Sequence, residues 1–125
     1  MNPKQFLQIG GAVLVLVGIL GFTGVIGPTA SDSIFGDFWW FDNAENWAHL
    51  VLGIVALGAS FALGARSQKP LVLVVGVVAV LVALYGFVNP MLLGANLENP
   101  ADTVLHLVVG AWALWAGMKR EEMMM

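Results

Sequence analysis

Two histidines, each preceded by an acid four residues earlier, are the residues of this sequence best suited to chemistry. The pairs are Glu45 with His49 and Asp102 with His106. Residues four apart lie on the same face of a helix, about one turn from each other. If the two helix faces meet, the four side chains would form a cluster of two imidazoles and two carboxylates.

A structural role accounts for these four residues. Asp42 and Asn99 are typical helix N-cap residues, and each has an acid three positions later, at Glu45 and Asp102. Such acids bond backbone N–H groups and are stabilised by the positive end of the helix. Each histidine would bond its acid or a loop carbonyl and so hold the loop on the helices. We therefore expect no catalytic residue and no enzyme.

Two cofactor-binding roles are alternatives for the same side chains. Imidazole and carboxylate suit a divalent metal such as zinc, iron or manganese, although the Glu-x-x-His sets of di-iron bundles are missing. Two histidines at equal depth could also ligate a haem iron or pigment from both sides, but Glu45 and Asp102 occupy a turn that the macrocycle would need. No cofactor is expected. Proton or ion transport is less favoured still, because carriers place ionisable groups at mid-membrane.

Composition assigns the chain to the membrane. Of 125 residues, 59% are hydrophobic and only 10% charged, against about 25% charged in soluble domains, and the mean hydropathy is +0.87. These values exclude an ordinary water-soluble globule. The net charge of −3, with five Lys and Arg, gives no basic surface for nucleic acid. The absence of Cys removes disulfides and thiolate chemistry.

Four apolar segments are long enough to cross a bilayer, which takes roughly 20 residues each. The predicted spans are residues 6–26, 47–65, 70–88 and 101–118, and none carries Lys, Arg, Asp or Glu in its middle. The predicted fold class is therefore all-α. It is an integral membrane four-helix bundle that forms one transmembrane domain over residues 1–125.

The charges predict how the bundle is oriented. The five basic residues fall before the first span, between the second and third, and after the fourth; they are Lys4, Arg66, Lys69, Lys119 and Arg120. Because basic residues in short loops stay in the cytoplasm, we expect a multi-pass plasma-membrane protein with both termini cytoplasmic. A signal peptide is the competing interpretation of the N-terminus. It is disfavoured because the apolar run is too long and Pro28 suits a cleavage site poorly.

The two halves of the chain are similar to each other. At an offset of 57, residues 44–60 match residues 101–117 at eight of seventeen positions, including both histidines. Residues 6–65 and 70–118 are therefore predicted to be two helical hairpins. Because both start on the same side, they would be parallel repeats related by an axis along the membrane normal.

Small residues mark the faces expected to pack, because helices in lipid associate by close backbone approach. They share their faces with the two histidines and are Gly53, Ala56, Ser60, Gly110, Ala113 and Gly117. The aromatic residues before and at the second span are expected at the membrane interface; these include Trp39, Trp40 and Trp47.

The repeated histidine segments carry a resemblance. Residues 46–53 are NWAHLVLG and residues 99–110 are NPADTVLHLVVG. They resemble the repeated N-x-x-x-H-L-x-x-G type motif of a bacterial family of small four-span membrane proteins, known only as a domain of unknown function. Here Asn46 precedes His49 by three residues, one fewer than in the motif, and Thr103 stands at the matching place of the second half. The resemblance implies the four-span fold and a bacterial plasma-membrane location, but no activity.

From these observations we expect a non-catalytic scaffold or accessory subunit of a membrane complex. Its partners would be the lipid bilayer and either further copies of the chain or a larger membrane complex. The alternative is a metal- or haem-binding membrane subunit that uses His49 and His106.

Overall fold

Four α-helices make up most of the protein. The computed structural model describes residues 1–89, 91–92, 95–96 and 101–118. The helices are α1 (Pro3–Phe22), α2 (Asn43–Ala62), α3 (Ala65–Val88) and α4 (Ala101–Gly117). Strands β1 (Met91–Leu92) and β2 (Ala95–Asn96) pair antiparallel between α3 and α4. The predicted all-α class is confirmed, since this two-residue ladder, which was not predicted, is too short to change it.

The helix ends differ from the predicted spans. The first helix ends at Phe22 instead of residue 26, and Gly24 follows with a φ of +85°. Helix α2 begins at Asn43, directly after the predicted N-cap Asp42 and before the predicted span that starts at residue 47, and α3 begins at Ala65, before the predicted span that starts at residue 70. Hydropathy misses these first turns because they are polar, as helix starts usually are. Pro70 therefore lies inside α3 and not at its start.

The length and composition of the helices indicate a membrane protein. Helices α1, α2 and α3 are each long and apolar enough to cross a bilayer. Helix α4 is apolar but has only 17 residues, which at 1.5 Å per residue is about 26 Å. Many large apolar side chains of the described helices are exposed, as expected for surfaces that face lipid.

The first helix pair, α1 with α2, packs antiparallel through glycine. A Cβ on Gly53 would lie 2.7 Å from the carbonyl oxygen of Gly11 and 2.7 Å from the backbone nitrogen of Val15. Further along, Gly18 lies against the backbone of Asn46. The two backbones are thus in direct contact, which is the close approach that small residues allow in lipid.

The second pair, α3 with α4, packs in the same way. A Cβ on Gly110 would lie 3.1 Å from the carbonyl oxygen of Gly76 and 2.7 Å from Cγ2 of Val80. Gly110 is 57 residues after Gly53, while Gly76 and Val80 are 65 residues after Gly11 and Val15. The same residue types therefore make the same contacts in both pairs.

The two pairs meet mainly through α1, which contacts both α3 and α4. Near its start, Phe6 and Leu7 join a buried apolar core with three residues of the second pair, Val72, Ala113 and Ala116. The Phe6 ring also packs edge-on against Trp112 at 4.6 Å. The beginning of α1 therefore lies beside the second half of α4, as an up-down-up-down bundle requires.

Candidate functional site

Buried polar side chains gather where α2 and α4 begin, and we call this group the polar cluster. Glu45, Asn46, Asp102 and Thr103 are buried there, and His49 and His106 are half-buried. Asn46 and Thr103 hold matching places of the two halves and are 0% and 2% exposed. Buried polar groups are costly unless they are hydrogen bonded, so their partners indicate what the cluster does.

The Glu45 carboxylate caps its own helix. Asp42 is the N-cap of α2, and its side chain accepts a 2.9 Å hydrogen bond from the backbone N–H of Glu45. In return, the Glu45 side chain accepts a 3.4 Å bond from the backbone N–H of Asp42. This capping box confirms the predicted helix start. The corresponding predicted start at Asn99 and Pro100 lies outside the described residues.

Asn46 is wholly buried against α1. Its amide nitrogen donates to the carbonyl oxygen of Phe41 at 3.4 Å, whereas its Oδ1 has no conventional donor among the described residues. A Cβ on Gly21 would overlap this Oδ1, so the hydrogen that Gly21 carries in that direction points at the oxygen. Such Cα–H···O contacts are weak hydrogen bonds that recur between packed helices. Gly21 therefore provides both the space and the contact for Asn46.

Asp102 joins the start of α4 to the α1–α2 loop. Its Oδ1 accepts a 3.0 Å hydrogen bond from the indole N–H of Trp39, 63 residues away in sequence. A backbone N–H was the predicted partner of this carboxylate, and the indole donor was missed. Nothing in the local sequence marks this pairing, because it depends on how the loop folds back over α4.

The two histidines have different surroundings. His106 makes a 2.7 Å hydrogen bond between its Nδ1 and the backbone oxygen of Asp102. The His49 ring instead packs edge-on against Phe41 at 5.0 Å, and its Nδ1 is buried without a partner in the described part of the chain. The imidazoles are close enough to interact electrostatically. Even so, no three His, Asp or Glu side chains among the described residues are placed to hold a metal ion.

The second half of the loop between α1 and α2 is hydrogen bonded to the loop's first residues. It contains two short 3-10 turns, Ala30–Asp32 and Gly36–Phe38. The N–H of Ile34 donates to Val25 at 2.9 Å, and that of Phe41 donates to Ile26 at 2.8 Å. This structure turns the Trp39 indole towards α4.

The other two predicted interface aromatics lie elsewhere. Trp40 is half-buried in the loop. Trp47 is 60% exposed and packs edge-on against Phe22 at 5.1 Å. Of the three, Trp47 thus presents the most surface to the surroundings of the bundle.

The small residues of the two histidine-bearing faces lie at helix contacts. Gly53, Ser60, Gly110, Ala113 and Gly117 are buried and Ala56 is half-buried.

At the opposite end of the bundle, the buried Gln68 donates from Nε2 to the carbonyl oxygens of Ser60 at 3.1 Å and Leu63 at 2.8 Å. This side chain closes the end of α2. In the sequence, Gln68 is marked only as an uncharged polar residue between the charged residues Arg66 and Lys69, which separate two predicted spans.

Together, the hydrogen bonds of the polar cluster join the α1–α2 loop to the start of α4 and cap the start of α2. Two of its buried atoms, Asn46 Oδ1 and His49 Nδ1, have no conventional hydrogen-bond partner among the described residues. The fold and the polar cluster define the class of this protein, which is a small helical membrane protein with buried polar contacts near its helix ends. Comparison with protein-family models, curated proteins and solved structures found no match. The resemblance to the four-span family therefore stays a prediction.

Proposed function

We propose that this chain is a non-catalytic scaffold or accessory subunit of a membrane complex. It would be a four-span bundle in a bacterial plasma membrane, with both termini in the cytoplasm. The observation that carries the proposal is the position of the buried polar side chains. Every one of them among the described residues lies near a helix end or beside a helix connection. Their hydrogen bonds include the capping box of α2, the bond from Trp39 to Asp102 and the bonds from Gln68 to the end of α2. Mid-membrane ionisable groups, which mark transport pathways, are missing from the described helices.

The equivalent glycine contacts of the two helix pairs support the proposed repeat. Gly53 meets Gly11 and Val15 as Gly110 meets Gly76 and Val80. A chance similarity between Leu- and Val-rich segments would not place the same residue types at the same contacts. The proposed hairpin repeats thus rest on packing as well as on the repeated histidines.

The proposed orientation can be tested by cysteine labelling, because the chain contains no Cys. Ser31 in the α1–α2 loop and Ser67 near the start of α3 are both exposed. With a membrane-impermeant maleimide on intact cells, S31C should be labelled, whereas S67C should be labelled only after lysis. The reverse pattern would overturn the orientation, and labelling of both in intact cells would overturn the membrane crossing of α2.

The accessory role is tested by crosslinking in native membranes. A photoreactive residue at Val55 or Leu81, which are 59% and 57% exposed on α2 and α3, should give crosslinked species larger than the 13.3 kDa monomer. The same residue at the buried Val72 serves as the control and should give none. If both exposed positions yield only monomers, the chain works alone and the proposal is wrong.

A second function is favoured by one observation. His49 has a buried Nδ1 without a partner in the described structure and lies within electrostatic range of His106. A bound metal or haem would supply that partner. The absorption spectrum and metal content of protein purified without an affinity tag distinguish the two functions. If the protein contains a stoichiometric metal or a haem band that disappears in H49A/H106A, the chain is a cofactor-binding subunit and the scaffold proposal is wrong.

A further inference from the structure

An open groove lies between the α1–α2 loop and the first turns of α4. Its volume is about 430 Å³. Almost all of its wall is apolar, and it is formed by Phe35, Phe38, Trp39, Ala101, Val104 and Leu105. Because a bound water needs two to four polar partners, water is a poor occupant of this groove.

The groove continues the lipid-facing surface of α4. Val104 and Leu105 form one wall and are 54% and 40% exposed. Helix α4, at about 26 Å, is shorter than the hydrocarbon core of about 30 Å. The exposed rings of Phe35 and Phe38 stand over its first turn and extend the apolar wall. An acyl chain beside α4 would therefore meet apolar side chains up to the loop.

The charged side chains beside the groove are acidic. Asp37 is exposed and lies in the 3-10 turn between Phe35 and Phe38. Asp32 is exposed in the preceding turn, and residues 23–42 contain no Lys or Arg. A headgroup with a net negative charge would be repelled here, whereas a primary ammonium would be attracted.

We propose that the groove binds one acyl chain of a phosphatidylethanolamine, with the ammonium of its headgroup beside Asp37. The proposal rests on the membrane location proposed above, which the cysteine labelling tests by itself. A failure of lipid binding in a correctly inserted protein would therefore count against the groove alone.

Native mass spectrometry of the detergent-solubilised protein tests the proposal. Phosphatidylethanolamine and phosphatidylglycerol with the same acyl chains are added separately. The wild-type protein should retain one phosphatidylethanolamine, with about fivefold preference over phosphatidylglycerol, as expected for one charge contact at the membrane surface. Equal retention of the two lipids would overturn the proposal.

Three variants locate the binding. V104W fills the groove from an exposed position and should reduce retention at least about tenfold. F38A removes part of the opposite wall, also at an exposed position, and tests the groove should V104W fail to fold. D37N should keep the acyl chain but lose the preference between headgroups.

The control is L81W, which adds the same indole at a similarly exposed position of α3 and should bind lipid as the wild type does. If V104W and F38A both retain phosphatidylethanolamine like L81W, the lipid lies elsewhere and the proposal is wrong.

Discussion

Replacing Gly53 with alanine is expected to push α1 away from α2 and to lower the free energy of unfolding by about 1–3 kcal/mol. The added Cβ would lie 2.7 Å from two backbone atoms, the oxygen of Gly11 and the nitrogen of Val15. A change of rotamer cannot relieve a clash with backbone, so the helices themselves must move. Because helices in lipid are held together largely by close packing, a small separation loses much of the contact.

Gly58 provides the matched control on the same helix. It lies five residues further along α2, is exposed, and has nothing within 4 Å of an added Cβ. G58A should leave the stability unchanged or raise it slightly, because alanine is the better helix former. Both variants can be compared by titration with sodium dodecyl sulfate in mixed micelles while the helical circular dichroism is followed. Equal losses in G53A and G58A would show that the glycine contact is unimportant.

The second helix pair should respond in the same direction but less strongly. The nearest atom to a Cβ on Gly110 is Cγ2 of Val80 at 2.7 Å, and the nearest backbone atom is the Gly76 oxygen at 3.1 Å. A valine side chain can shift, whereas the backbone facing Gly53 cannot. We therefore expect G110A to cost less than G53A in the same titration.

Local features of the bundle could be predicted from the sequence because they depend on residues close together in the chain. The capping box needs only Asp42 and Glu45, three positions apart. The buried faces follow helical spacing, which brings Gly53 and Ser60 to one side of α2. The apolar segments likewise follow from composition alone.

The missed contacts depend on the fold of connections between helices. Trp39 and Asp102 are brought together by a loop whose turns are set by backbone bonds such as that from Ile34 to Val25. Gln68 reaches the last carbonyl groups of α2 only because α3 begins directly after α2 ends. The predicted spans also start after the first turns of α2 and α3, because hydropathy measures affinity for lipid and does not detect where a polar first turn becomes helical.

Replacing Trp39 with phenylalanine is expected to release the α1–α2 loop from α4 and to cost about 1.5–3 kcal/mol, the usual worth of a hydrogen bond to a charged group. The ring is retained in this variant, while the carboxylate of Asp102, which is 1% exposed, loses its 3.0 Å indole donor. Hydrogen exchange should increase at Ile34 and Phe41, whose N–H groups join the second half of the loop to residues 25–26 in its first part. The glycine contacts between α1 and α2 should persist, because they lie along the helices.

Two further variants separate this hydrogen bond from a general effect of losing an indole. W40F removes the neighbouring indole N–H, which bonds to no other described residue, and should leave loop exchange unchanged. D102A should cost more than W39F, because Asp102 has interactions beyond the one with Trp39. The loss of stability in W39F/D102A should be smaller than the sum of the losses in W39F and D102A by about 1 kcal/mol or more, as for residues in direct contact. Fully additive losses would mean that the bond contributes nothing, and the polar cluster would then fasten the loop through packing of its aromatic rings alone.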